Sequence, residues 1–226
     1  TKLPMHQSRE YPMQALFALL LATNLCLAAP PEQQYSAQLL NPTMANATAP
    51  NVYKVKFKTT KGPFVVKVYR QWAPLGADRL YNLVQAGFYN EGIAFFRNIN
   101  GFMVQFGIHG DPDIGDIWRG ERIKDDPVVK SNTRKMVTFA MAGPNTRTTQ
   151  VFINFADKNQ MLDGQGFAPL GKVTGGMKVV DSLYNGYGEG VPRGNGPNQG
   201  LMQSQGNAYL QAEFPELDYI KSATIK

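Results

Sequence analysis

The stretch from Val52 to Tyr69, VYKVKFKTTKGPFVVKVY, alternates in a way that only a two-faced strand pair uses. Tyr53, Val55, Phe57 and Thr59 fall on one side and Lys54, Lys56 and Lys58 on the other, and Lys61 and Gly62 offer a turn into a second β-rich run. This predicts an antiparallel hairpin with one wet face. Further short β-like runs follow: IAFFRNI, FMVQFGI, MVTFAMA, TQVFINF and APLGKVT. Helical periodicity occurs in two places. APLGADRLYNLVQAGFY sets Pro74 near a helix start, repeats Leu80, Leu83 and Val84 on one face, and ends at Gly87, where a left-handed cap fits. GGMKVVDSLYNGYG puts Met177, Val180, Leu183 and Tyr184 on one face. Many short strands with two separated helices predict a mostly β chain, a closed or nearly closed barrel with helices over its ends.

At 226 residues and 43% apolar, the chain can bury one sizeable core, so one domain with appendages is expected. The net charge of +6 is spread along the sequence without a dense basic block or a nucleic-acid motif, which argues against a nucleic-acid partner.

The N-terminal region has its own character. Lys2 and Arg9 precede an apolar run from Ala15 to Ala29 that stops at Pro30 and Pro31, the pattern of a secretory signal peptide over residues 1–29. The run is shorter than the ~20 apolar residues a membrane span needs, so no stable insertion is expected after cleavage. Cys26, the only cysteine, lies inside it, so a mature chain has no disulfide, metal thiolate or cysteine nucleophile. Residues 30–50, rich in Gln, Asn, Ala and Pro, predict a flexible linker, and 51–226 the folded domain.

Conventional reactive constellations are missing from the sequence. The two histidines, His6 and His109, form no Ser-His-Asp set, and there is no zinc-ligand spacing, phosphate loop or dinucleotide fingerprint. Asp111, Asp113 and Asp116 lack the spacing and terminal glutamate of a calcium loop and are expected to form a solvated acidic loop. No metal and no cofactor is expected.

Four stretches carry the functional reading together: TTKGPFVVKVYRQWAP, FFRNINGFMVQFG, FAMAGPNTRTTQVFI and MLDGQGFAPLGKVTGGMKVVD. In order and spacing the chain resembles the cyclophilin family of peptidyl-prolyl isomerases over residues 52 to 190, and in particular secreted bacterial-type members with a long glycine-rich segment before the last strand. The resemblance implies a closed eight-stranded antiparallel barrel capped by two α-helices, with a proline pocket on its outer face. It implies Arg97 as the catalytic residue, with Phe102, Met103, Gln105, Gln150 and Phe152 in the pocket. Leu162 falls at its floor, and Ala140 and Met141 on a peptide-docking wall. Met161 stands where many members carry a tryptophan, implying weak cyclosporin affinity. Phe167 lies near the place of a pocket histidine, Phe96 replaces the histidine of Phe-His-Arg, and Met141 replaces an asparagine.

Physical chemistry supports the same assignment. Rotating an X-Pro amide breaks no bond, but it destroys resonance against a barrier of about 18–20 kcal/mol. The twisted nitrogen gains a lone pair, which a guanidinium such as that of Arg97 can address by hydrogen bonding. The expected function is thus prolyl isomerisation in exported proteins, periplasmic or secreted, by a monomer whose partners are proline-containing polypeptides. The alternative is a non-catalytic proline-peptide-binding chaperone or scaffold. Residues 185–218, rich in glycine and proline, are expected to form an irregular surface excursion, with about two helical turns at NAYLQAEF.

Overall fold

The computed structural model describes residues 35–90 and 92–226. The segment expected as a signal peptide, 1–29, lies outside the described residues.

The hairpin forms as its alternation requires. Strand β1 (Val52–Thr59) pairs antiparallel with β2 (Gly62–Tyr69) from Val52 opposite Tyr69 down to Thr59 opposite Gly62. Tyr53, Val55, Phe57 and Thr59 are buried, while the lysines between them face outward or sit half-buried. The loop is two residues long, and Gly62 takes φ +127°, a backbone region that L side chains rarely enter. Helix α2 (Pro74–Ala86) follows, starting on Pro74 and ending at Gly87 with φ +85°, whose N–H bonds back to Leu83 and Val84. Both termini stand where the sequence puts them.

The remaining strands are β3 (Ile93–Ala94), β4 (Arg97–Ile99), β5 (Met103–Phe106), β6 (Met136–Phe139), β7 (Val151–Asn154), β8 (Pro169–Gly175) and β9 (Tyr219–Ile225). They form one sheet in the order β3-β9-β1-β2-β8-β6-β7-β5-β4, antiparallel throughout. This corrects the expectation of a closed eight-stranded barrel: the sheet is an open, curled, nine-stranded half-barrel. The reason lies at Phe95 and Phe96. The run IAFFRNI is continuous in sequence, but its first half pairs with β9 and its second half with β5. The two residues at the handover make no ladder to close the ring. Phe95 turns into the main core, and Phe96 into a second apolar cluster.

The main core is aromatic at its centre. Phe57 stacks on Phe64 at 4.9 Å, and Phe106 meets Phe57, Phe95 and Tyr89 edge-on at 5.1 to 5.9 Å. The hydroxyls of Tyr53 and Tyr89 donate to Ala77 O and Thr149 O at 2.6 Å, so neither is left unpaired where burial pushes its pKa upward.

More helices form than the two expected caps. Helix α1 (Ala37–Leu40) is a single turn, α3 (Pro112–Arg119) is capped by the Asp111 carboxylate, α4 is Met177–Asp181, and α5 runs Gln199–Glu213. Helix α5 is far longer than the two turns expected there. It is kinked at Gly206 (φ +59°), where a side chain would collide with Gly110 O. Met202 and Leu210 from α5 join Phe96, Ala94, Ile108 and Leu217 in the second cluster. The buried Asp218 carboxylate then fastens the start of β9, accepting from Thr60 Oγ1 at 2.6 Å and Tyr184 N at 2.8 Å.

The expected linker also needs correction where it is described. Residues 35–50 pack on the domain: Leu39 and Ala49 are buried in the main core, and Leu39 O accepts from Trp118 Nε1 at 2.9 Å. Tyr35 donates to Asp111, and Ala47 N and Ala49 N donate to Asn82 and Asp78. These anchors come one residue at a time, without a period, so composition alone reads as linker. Leu39→Ala is expected to lower the unfolding free energy by about 2–5 kcal/mol in urea denaturation. A freely moving linker would show no change.

Candidate active site

The site grows out of strand alternation in β4, β5 and β7. Arg97 lies opposite Gln105, and Gln105 opposite Phe152, so the three project from one face of the sheet as a row. Met103, two residues from Gln105, shares that face. The other phase, Val104, Phe106, Val151 and Ile153, fills the main core. Both faces are therefore covered, which is why MVQF and VFIN are buried at every position.

A 3-10 segment, Asp157–Gln165, covers the outer face and brings Leu162 down onto Met103 and Phe152. Ile99, Phe102, Ala140 and Phe167 pack around this group, and Phe167 meets Phe152 edge-on at 5.8 Å. A buried amide network fixes the segment. Asn159 Nδ2 donates to Phe102 O and to Asn154 Oδ1, both at 2.7 Å. Asn132 donates from its backbone and side chain to Asp163 Oδ1 and from its side chain to Phe167 O, while Thr138 donates to Asn132. Burial works to raise the Asp163 carboxyl, but hydrogen bonds from Ser131 and Asn132 outweigh it and hold the group below the usual carboxylate range.

The result is a cavity of about 620 Å³. Of the residues predicted for the site, Arg97, Phe102, Met103, Gln105, Ala140, Met141, Gln150, Phe152, Leu162 and Phe167 all line it. Met161 does not: it is 55% exposed on the 3-10 segment and absent from the lining, because its neighbour Leu162 takes the inward direction. The volume lies within the range of small-molecule sites, and the mixture of apolar floor and a few convergent polar groups is what such a site needs.

The polar edge is a relay. Arg97 Nη1 donates to Gln105 Oε1 at 3.1 Å, Gln105 Nε2 donates to Gln150 Oε1 at 2.8 Å, and Ala140 N donates to Gln150 O at 2.9 Å. The guanidinium also stands 6.0 Å from the Phe102 ring centroid. On its opposite edge, Nε and Nη2 both donate at 2.6 Å to the two oxygens of Glu189. Side-chain exposures of 20% and 28% place this pair at the rim, between core and solvent. Hydrogen bonding to Arg97 is the main cause holding the Glu189 carboxyl below the usual carboxylate range; burial opposes it, and Gly190 N–H and Arg193 assist.

Sequence reasoning missed Glu189 because it stands 92 residues from its partner in a glycine-rich stretch with no periodic signal. It also missed Arg147, buried in the MAGPNTRTTQ turn. Arg147 pairs with Asp126 at 3.0 Å, and Asp126 in turn accepts from Leu75 N and Gly76 N in the first turn of α2. Asn145, at φ +58°, exchanges hydrogen bonds with Asp125. The wall that carries Met141 is thus tied to α2 through buried charge. Asp111 and Asp116 have structural partners, α3's first turn and Arg119, and no group of three or more potential metal ligands is assembled among the described residues.

A family model described as cyclophilin type peptidyl-prolyl cis-trans isomerase/CLD matches residues 54–199. Peptidyl-prolyl cis-trans isomerase-like 1 of Aspergillus fumigatus is 35% identical over 135 residues, covering 57% of this chain and 80% of that protein. A peptidyl-prolyl cis-trans isomerase of Acinetobacter baylyi is 34% identical over 136 residues, covering 58% of this chain and 71% of that one. A crystal structure of a cyclophilin type peptidyl-prolyl cis-trans isomerase from Cryptosporidium parvum aligns with a TM-score of 0.56 at 19% identity, covering 77% of this chain and 98% of that one. The same protein in the presence of the dipeptide Ala-Pro gives 0.55 at 21% identity. At those identities the two structures speak to the fold, while the sequence match carries the kinship: this chain belongs to the cyclophilin type peptidyl-prolyl cis-trans isomerase family.

Proposed function

We propose that this member of the isomerase family accelerates X-Pro isomerisation during the folding of exported polypeptides, binding the twisted amide with Arg97 over an apolar proline pocket. The observation that carries the reading is one juxtaposition: a guanidinium held at the rim of a cavity floored by Phe102, Met103, Phe152 and Leu162. A proline ring buries apolar surface on that floor in both ground and twisted states, which binds substrate without accelerating it. Rate enhancement needs an interaction that strengthens on twisting. As resonance is lost, the proline nitrogen becomes a hydrogen-bond acceptor, and a charged donor in a partly desolvated site strengthens with it. The amides of Gln105 and Gln150 are placed to hold the peptide backbone while the segment before the proline turns.

Export rests on the N-terminal pattern, Lys2 and Arg9 before the apolar run ending at Ala29. Among the described residues, no helix is long and apolar enough to cross a membrane. Mass spectrometry of the protein from its native host is expected to find a mature N-terminus just after residue 28 or 29. A chain retaining residues 1–28 would remove the export reading.

The mechanism predicts a separation of rate from binding. Arg97→Ala should reduce catalysed exchange of an X-Pro tetrapeptide by about a hundredfold to a thousandfold, the usual loss for a transition-state donor, while peptide affinity falls far less. Arg97→Lys should recover little, because a compact, strongly hydrated ammonium lacks the planar fork. Phe152→Ala should weaken binding and rate together. Exchange NMR supplies the rates, and thermal melts check folding. A non-catalytic peptide-binding scaffold would bind the peptide and leave its exchange rate unaltered in every variant.

A further inference from the structure

We infer that Glu189 is a positioning residue for isomerisation, gripping one edge of Arg97 so that the other edge faces the bound peptide; this rests on Arg97 acting at the amide. The geometry is specific. Both Glu189 oxygens are used, at 2.6 Å, and they take the Nε edge of the guanidinium in a side-on fork. A fork fixes the plane of the group as well as its location, which one hydrogen bond from Nη1 to Gln105 cannot do.

Counting donors distinguishes holding from blocking. A guanidinium carries five N–H groups. Glu189 takes one from Nε and one from Nη2, and Gln105 takes one from Nη1. The second Nη1 hydrogen has only the weak acceptor Met103 Sδ at 3.9 Å, and the second Nη2 hydrogen has no acceptor among the described residues. Two donors therefore remain for a substrate, on the edge away from Glu189. The pair thus orients Arg97 without exhausting it.

The carboxylate sits on a rigid mount. Glu189 Oε1 accepts from Gly190 N at 3.0 Å, and Glu189 O accepts from Gly196 N at 2.8 Å. Gly194 and Gly196 press so closely on that carbonyl that a side chain at either would collide with it. Upstream, Tyr187 meets Tyr184 and Phe214 edge-on at 4.9 Å, tying the loop to the cluster under α5. The glycine-rich stretch therefore carries one carboxylate to the rim and holds it there. The charge of Arg193 also reinforces ionisation of the carboxylate.

The test is a double-mutant cycle in the full chain, read by exchange NMR on an X-Pro tetrapeptide together with calorimetric peptide binding. Glu189→Gln keeps the shape but puts an amide N–H₂ against a guanidinium N–H. It should lower the catalysed rate by roughly ten- to a hundredfold, the scale of a small misplacement of a catalytic group, and change peptide Kd by less than about twofold. In the Arg97→Ala background the same change should add nothing, because a residue acting through Arg97 has no other route. Glu189→Ala, with thermal melts, provides a second variant should the glutamine perturb the loop. A faster Glu189→Gln enzyme would show that the carboxylate blocks the site, and an unchanged rate that it does nothing; either overturns the inference. So does an equal loss with and without Arg97. If Arg97→Ala alone matches the parent, the fault lies in the Arg97 chemistry itself, an outcome distinct from these.

Discussion

The phase of side-chain alternation in β5 and β7 is the constraint from which the site follows. On these strands one set of residues, Val104, Phe106, Val151 and Ile153, must enter the aromatic core, and that choice leaves Met103, Gln105 and Phe152 on the opposite face. A slip of one residue would exchange the two sets, putting Gln105 into the core and Phe106 onto the cavity face. Register is therefore protected by the whole hydrophobic core, and the cavity inherits that protection. Arg97 belongs to the same row through its pairing with Gln105 across the edge of the sheet. An edge strand is a fitting place for it, since a guanidinium at that position reaches both cavity and solvent.

Much of this was legible from residue order. The Val52 to Tyr69 hairpin and the α2 boundaries at Pro74 and Gly87 follow from local periodicity and turn chemistry, which depend on neighbours in sequence. The cavity lining was legible through linked motifs, and Arg97, Gln105, Gln150 and Phe152 meet although up to 55 residues separate them. What escaped the sequence depends on partners elsewhere in the chain. IAFFRNI looks like one strand because its residues suit either pairing; only the positions of β9 and β5 split it at Phe95 and Phe96. Met161 and Leu162 are both apolar neighbours, and nothing local decides which faces inward. The packed stretch 35–50 is held by isolated anchors, and Glu189 by a glycine-rich loop, neither of which leaves a period to read.

The family match ends at residue 199, where α5 begins, and two features of the edge that carries Arg97 bear on what lies around and beyond that point. Phe96, standing where the commoner pattern has a histidine, is buried under Met202 and Leu210, so an apolar side chain beside Arg97 is the complement of a helix packed over it. The loop leading into α5 supplies Glu189. The excursion between α4 and β9 thus shapes both flanks of Arg97: it covers the residue before it in sequence and pairs with its charge. The apolar residue before Arg97 and the excursion between α4 and β9 are two sides of one packing arrangement.

A crystal structure of the protein with a bound X-Pro tetrapeptide decides where the proline sits relative to Arg97. The expected arrangement seats the proline ring on Phe102, Met103, Phe152 and Leu162, with Arg97 within hydrogen-bond reach of the X-Pro amide and its Nε edge still paired with Glu189. A ring bound elsewhere, or a guanidinium turned away from the amide, would contradict it.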